Sequence, residues 1–338
     1  MSEAELDGDF QRLMELATAF MGSQVLFTAC ELGVFDALDP APRDGPALAA
    51  ALGLDPRGAG LLLDACAELG LLGRGPDGAY ALSPASRQLL AARSPHTQRA
   101  TLSFLGGATR AVWARLGGAV REGRNQNPEV LGVATREPFA AIYRTEPERL
   151  LFMRAMQETW SLWAGPVLAA FDLSEFRVIC DVGGGSGALA TACARLYPGS
   201  DVTVFETPEV VAAAQEHFRE PGEAPPIRFV GGDFFRSPLP PADLYILARV
   251  LHDWGDGACA EILGRTRGGS ALLLVEAVLD PEGRGPLPAL LLSLTMLAQA
   301  AGRERTEAEF RAMAAAAGFR HFRLRCPRGP FAAMLARK

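Results

Sequence analysis

A chain of 338 residues, 49% hydrophobic and 21% charged, has ample apolar content for a large buried core and enough length for about two domains. A formal net charge of −6 argues against a nucleic-acid-binding surface, which is normally basic. The acidic start, Met1-Ser-Glu-Ala-Glu-Leu-Asp7, is unlike a secretory leader. The cysteines Cys30, Cys66, Cys180, Cys193, Cys259 and Cys326 are widely spaced without a Cys-x-x-Cys pair, so buried free thiols in a reducing cytoplasm are expected. The four histidines make no ligand cluster with them, and no metal is expected.

In chain order, Phe10, Leu13, Met14, Leu16, Ala17, Phe20, Met21, Val25 and Leu26 recur at helical spacing, with glycines at 22 and 33 as punctuation. That predicts two helices with a wide apolar face, of the kind that buries against a partner chain. Pro46 to Gly53, Asp55-Pro56-Arg57 and Gly60 to Leu72 read as helix, turn, helix. A turn at Gly73–Gly78 and a short strand, Tyr80–Ser83, follow. The segment resembles a winged helix. DNA binding is one reading; the absence of a Lys/Arg cluster favours a dimerisation or interaction module. Residues 95–173 read as mostly helical. Trp160 and Trp163 lie one turn apart, a spacing usual for core packing. Spacing alone leaves open whether Tyr143 and Trp160 wall a cofactor pocket instead. The late apolar run Leu287 to Ala301 is interrupted by Pro288, Ser293, Thr295 and Gln299 and is too short and polar to span a bilayer.

From Phe176 the pattern alternates strand and helix. Strands are predicted at Arg177–Val182, Val202–Glu206, Ile227–Val230, Ala242–Leu247 and Ala271–Glu276, which implies a parallel sheet covered on both faces. Arg320–Cys326 and Phe331–Ala336 flank Pro327-Arg-Gly-Pro330, a hairpin signal. The fold class is therefore α/β: a Rossmann-like doubly wound sheet closed by a C-terminal antiparallel hairpin. A mostly helical, winged-helix-like dimerisation domain precedes it. The expected domains are residues 1–100, and 101–338 as helical linker plus catalytic domain.

The stretch Val178-Ile-Cys-Asp181-Val-Gly183-Gly-Gly185-Ser-Gly187-Ala188 is a buried strand, a glycine turn and a helix start. Its glycines supply backbone angles that a Cβ forbids and let a ligand approach the main chain. Gly183, Gly185 and Ala188 fit the nicotinamide-dinucleotide fingerprint. They equally fit the acid-x-G-x-G-x-G loop of enzymes using S-adenosyl-L-methionine (SAM), with Asp181 as the acid for an α-ammonium. Glu206, at the end of the next strand, suits ribose hydroxyls in either case. The C-terminal hairpin and Asp181 lean towards SAM; an NAD(P)-dependent dehydrogenase is the alternative. After the fourth strand comes Arg249-Val-Leu-His252-Asp253-Trp254. Its place at a strand's carboxyl end, with an adjoining acid, makes His252 a catalytic candidate.

Asp181-Val-Gly-Gly-Gly-Ser-Gly187, Gly232-Asp-Phe-Phe235, Arg249-Val-Leu-His-Asp-Trp254 and Gly302-Arg-Glu-Arg-Thr306 together resemble the SAM-dependent small-molecule O-methyltransferases of the plant-caffeate type. Phe20–Phe27, Val120–Gln126 and Leu239–Leu247 resemble the hydroxyindole-methylating branch. The resemblance covers nearly the whole chain. It implies that Tyr143, Trp160, Glu206, Gly232, Asp233, Phe234 and Arg249 contact SAM, that His252 is the base, and that Glu276 and Glu304 flank it. It further implies that Asp253 contacts the substrate and that Thr295 and Gln299 line an indole pocket. The implied reaction methylates the 5-hydroxyl of N-acetylserotonin to give melatonin, without metal, in a homodimer; the cysteines point to the cytoplasm, and the charge and hydropathy to no nucleic-acid or membrane partner. Glu206 stands where relatives carry Asp, and Thr295 where they carry Asn. Gly264 to Ala271 is shorter than in relatives, which predicts a shorter helix beside His252 and leaves a weak or inactive SAM-binding homologue as a further alternative.

Overall fold

The computed structural model describes residues 3–218, 227–266 and 268–338. The chain divides into two compact units, Met1–Gly106 and Gly107–Lys338. In the first, α1 (Glu3–Glu31) runs straight through Gly22. The chain turns instead at Gly33, whose φ of 75° suits a residue without a Cβ, before α2 (Val34–Leu38). The helices α3 (Gly45–Leu52) and α4 (Pro56–Glu68) each begin with an aspartate cap and a proline in the first turn. Asp44 accepts from the Ala47 N–H, and Asp55 from the Gly58 N–H. An antiparallel pair, β1 (Leu72–Arg74) and β2 (Tyr80–Leu82), completes the winged arrangement. Two further helices follow, α5 (Pro84–Leu89) and α6 (Arg99–Phe104). The break expected after residue 100 falls inside α6, which packs on α1 and so belongs to the first unit.

Phe35, Leu38, Leu48, Leu63 and Tyr80 centre this unit's core. The N-terminal half of α1 stays outside it: Leu6, Phe10, Leu13, Leu16, Phe20 and Met21 are all exposed. By length and composition α1 is apolar enough to cross a membrane. Its apolar face is the wide one expected from the spacing.

In the second unit the short helices α7 (Arg110–Trp113), α8 (Leu116–Glu122), α9 (Asn127–Leu131) and α10 (Pro138–Ile142) lead into α11 (Glu146–Leu168). The alternating region then gives β3 (Val178–Val182), α12 (Ala188–Leu196), β4 (Asp201–Glu206), α13 (Pro208–His217), β5 (Arg228–Gly231) and β6 (Leu244–Ala248). It continues with α14 (Asp256–Gly264), β7 (Ala271–Glu276), β8 (Val278–Leu279), α15 (Leu287–Gln299), β9 (Arg305–Thr306) and α16 (Glu307–Ala316). The hairpin β10 (His321–Arg325) and β11 (Ala332–Arg337) ends the chain. The main sheet has the order β10-β11-β7-β6-β3-β4-β5. From β7 to β5 it is parallel, and β11 runs antiparallel to both its neighbours.

All six residues of β7 are buried. Leu273 and Val275 pack with α11 and α12, and Leu272 and Leu274 with α14 and α16. A continuous apolar run is what a strand covered on both faces requires. The shortened stretch lies just before it. Helix α14 ends at Gly264, Gly269 takes φ 91° in the turn, and β7 forms fully; Arg267 lies outside the described residues. Strand order reverses between β3 and β6, which opens a crevice at their carboxyl ends.

Candidate active site

At the end of β3, Gly183, Gly185 and Gly187 adopt φ of 75°, 55° and 81°, a region that disfavours side chains. Nothing lies within 4 Å of where a Cβ on Gly185 would point, whereas a Cβ on Gly184 would come 2.7 Å from Asp181 Oδ2. Glu206 fastens the loop by accepting from the Gly185 N–H (3.3 Å) and the Thr207 N–H (2.7 Å). Asp181 is only 1% exposed, yet neither of its oxygens has a hydrogen-bond partner among the described residues. Burial, reinforced by Glu206, pushes its carboxyl up to about 7. A carboxyl held in that state is a receptor for a cationic group.

The loop walls a cavity of about 510 Å³, within the ~300–1,000 Å³ usual for small-molecule sites. Tyr143, Trp160, Asp181, Gly183, Gly185, Glu206, Gly232, Asp233, Phe234, Arg249 and Asp253 all line it. So do Phe139, Phe152 and Trp254. Phe139 sits 5.4 Å from Tyr143 and 6.0 Å from Trp254, ring centre to ring centre, and Phe234 5.9 Å from Trp254. Sequence reasoning gave Phe139 and Phe152 no role. The available signal was the four-residue spacing of Phe139, on α10, and Tyr143, which caps it, a spacing that brings both rings to one side. Burial, with Glu206 and Asp253 nearby, raises the Tyr143 hydroxyl well above its ordinary range.

The histidine cluster adjoins this cavity. After β6 the chain passes through Arg249 and a 3₁₀ turn, Leu251–Asp253. His252 is buried. Its Nδ1 lies 3.0 Å from Arg249 Nη2 and 3.3 Å from Glu304 Oε1, and its Nε2 lies 3.5 Å from Asp253 Oδ2. The two flanking acids do different things. Glu304 adjoins the ring. Glu276 holds the backbone: its Oε1 accepts from the N–H groups of Val250 (3.1 Å) and Leu251 (2.9 Å). Arg249 Nη1 donates to both, at 3.3 Å to Glu276 and 3.0 Å to Glu304. Burial pushes Glu276 up to about 7. Burial also raises Glu304, but Arg249 and His252 outweigh it and the net direction is down. For His252, burial and Arg249 act downwards, and Asp253, Glu276 and Glu304 outweigh them to leave it raised.

Arg305 was part of a recognised motif without an assigned role. It is fully buried. Its Nη1 donates to the Leu251 carbonyl (2.9 Å) and its Nη2 to the Trp254 carbonyl (2.8 Å) and Asp256 Oδ1 (2.7 Å). The turn carrying His252 is therefore gripped at both ends, by Glu276 before it and Arg305 after it. Gly302 backs the same turn, where a Cβ would overlap the His252 carbonyl. Among the described residues, His252, Glu276 and Glu304 are also the one group close enough to share a metal ion. The Arg249 guanidinium already supplies the cation there, ion-paired to both acids.

Thr295 and Gln299 do not line the cavity. Thr295 Oγ1 accepts from Trp113 Nε1 (3.1 Å), Gln299 Nε2 donates to Thr109 Oγ1 (3.3 Å), and the Gln299 carbonyl accepts from Asn127 Nδ2 (2.8 Å). These bonds join Thr295 to α7 and Gln299 to Thr109 and α9.

The sequence matches the O-methyltransferase domain family over residues 113–320 and the O-methyltransferase dimerisation domain family over residues 14–92. Acetylserotonin O-methyltransferase of Mus musculus molossinus is 62% identical over 348 residues, covering 99% of this chain and 90% of that relative. The Homo sapiens protein of the same name is 48% identical over 341 residues, covering 98% and 99%. The solved structure of human N-acetylserotonin methyltransferase in complex with SAM has a TM-score of 0.94 at 47% identity, over 100% of this chain and 99% of that one. The first matched segment takes in the glycine loop, the cavity lining and the whole histidine cluster. On sequence, fold and the placement of these residues, the chain belongs to the O-methyltransferase family.

Proposed function

We propose that the chain transfers a methyl group from SAM to the 5-hydroxyl of N-acetylserotonin, giving melatonin, with His252 as general base. The observation that carries this reading is Asp181, a buried carboxylate without a partner at the glycine turn, beside a cavity lined also by Arg249 and Asp253, both of which touch His252. SAM brings an α-ammonium for such a carboxylate and ribose hydroxyls for Glu206, so the residues present fit it. When bound, SAM supplies a methyl group on a sulfonium, already a good electrophile.

The chain's task is the nucleophile. A phenol-like hydroxyl has a pKa of about 10, so ionising it in advance at pH 7 costs roughly 4 kcal/mol. His252 avoids that cost by taking the proton as the O–C bond forms, a contribution of about 10²–10⁴-fold. Glu304 stabilises the resulting imidazolium from the Nδ1 side. The rings of Phe139, Tyr143, Phe234 and Trp254 keep water out and hold flat groups in place. Placing oxygen, methyl and sulfur in line contributes more than the proton transfer, up to roughly 7–11 kcal/mol in well-oriented reactions.

A homodimer formed through the first unit belongs to the same proposal, because the exposed apolar face of α1 needs a cover. So does a cytoplasmic location, in keeping with six unpaired cysteines. The test is methyl transfer from labelled SAM across a panel of hydroxyindoles and catechols. Label on the 5-oxygen of N-acetylserotonin is the expected result; label only on catechols, or none, overturns the assignment. Sedimentation of Leu13→Glu and Leu16→Glu variants tests the dimer, with monomers expected.

A further inference from the structure

Two groups contend for one nitrogen. Arg249 Nη2 lies 3.0 Å from His252 Nδ1, and Glu304 Oε1 lies 3.3 Å from the same atom. A guanidinium only donates, so the first contact needs a lone pair on Nδ1. A carboxylate only accepts, so the second needs a proton there. A neutral ring satisfies one of them at a time. With Arg249 on Nδ1, the ring proton sits on Nε2 and points to Asp253 Oδ2, 3.5 Å away. Asp253 lines the cavity, so Nε2 is the nitrogen on the acceptor's side. An Nε2 that already carries a proton has no lone pair for a hydroxyl.

Arg249 is built to take up this position and to leave it. It lines the cavity. It is the non-glycine residue found at positive φ, 58°, among the described residues. Such a backbone is strained and persists where the surroundings demand it. Its guanidinium stacks 5.1 Å from the centre of the Phe331 ring and also touches both Glu276 and Glu304. It therefore keeps a place among the acids if its Nη2 lets go of the imidazole.

We propose that Arg249 sets the tautomer of His252 and that an anion in the cavity resets it. On the function proposed above, the anion is the α-carboxylate of SAM or of its demethylated product, S-adenosylhomocysteine. Its arrival draws Nη2 off Nδ1. The ring then gives up the Nε2 proton and gains one on Nδ1, both exchanged with water, and its charge does not change. Glu304 accepts the new Nδ1–H, and the freed Nε2 lone pair faces the acceptor. Arg249 is in this sense a positioning residue, which withholds the base until the donor site is filled.

The experiment is NMR of the full chain with ¹⁵N-labelled histidine, at a pH where the His252 ring is neutral, with and without S-adenosylhomocysteine. The His252→Gln spectrum assigns the signal. Nε2–H in the free chain and Nδ1–H in the complex are expected. Nδ1–H already in the free chain, or Nε2–H in both, overturns the proposal. Calorimetry on the same samples separates the two readings. Binding without a tautomer change sinks this inference alone; no binding sinks the SAM reading and this one with it. In Arg249→Lys, the free chain is expected to show Nδ1–H from the outset. A retained Nε2–H there removes Arg249 from the role. If that variant fails to fold, the comparison of free and bound native chain decides.

Discussion

Replacing Asp181 with asparagine should move two quantities in opposite directions. In the native chain the Asp181 carboxyl is raised from 3.8 to about 7, with burial as the main cause and Glu206 as the second. Its folded pKa lies above its unfolded one, so the folded state favours the protonated form. The resulting destabilisation is absent below pH ~4, grows between about 4 and 7, and is complete above 7. At roughly 1.4 kcal/mol per pH unit, its ceiling is about 4 kcal/mol. Asparagine carries no charge to desolvate but is as short of partners as the acid, so the gain falls below that ceiling. At about 2 °C per kcal/mol for a chain of this size, ligand-free Asp181→Asn should melt several degrees above the native protein at pH 8. The gap should close as the pH falls to 5. In the same melts the stabilisation by SAM should be largely lost, because the amide oxygen still accepts from an ammonium but brings no charge to pair with it. Two results would refute the reasoning: a ligand-free variant less stable than the native chain at pH 8, or an unchanged response to SAM.

Three further outcomes follow from the geometry. His252→Gln should keep SAM affinity by calorimetry while turnover drops at least about a hundredfold; near-normal turnover would take His252 out of the mechanism. Gly185→Val should lose SAM binding, because φ is 55° and its Cβ would meet only open space on the cavity wall; unchanged affinity would contradict this. Arg305→Met leaves Asp256 and the carbonyls of Leu251 and Trp254 without their donor. Asp256 is largely exposed and keeps Arg303 as a partner, so the loss falls on the carbonyls, at about 1–3 kcal/mol for a buried polar group left unsatisfied. A fall in the melting temperature is expected, and a melt within a degree of the native chain would show that the turn holds itself.

The strands could be read from sequence because each is short, apolar and punctuated. Ala271–Glu276 is apolar at its first five positions, which only a doubly covered strand tolerates, and the glycine turn after Asp181 announces itself by composition. Placing His252 at a strand's carboxyl end followed from the same alternation. The break in the N-terminal helices was less legible. Gly22 and Gly33 look alike in sequence, but only Gly33 sits where the chain turns with positive φ. Thr295 and Gln299 share the apolar helix α15, and periodicity alone does not say what its faces meet; their bonds to Trp113 and Thr109 come only from the tertiary structure. Phe139 and Phe152 entered the lining from helices more than 20 residues before β3, too far for any local pattern to connect them to the site.

Local chemistry in the chain determined the elements and the glycine loop, because backbone angles and hydrophobic runs are settled by near neighbours. The division of labour between Glu276 and Glu304, the grip of Arg305 on the His252 turn, and the contact of Arg249 with Nδ1 came only from the tertiary structure. The acids and Arg305 reach this turn from segments 27 to 55 residues further along the chain. Which acid meets a ring and which meets a backbone depends on how β7 and β9 lie beside β6, and no spacing along the chain encodes that.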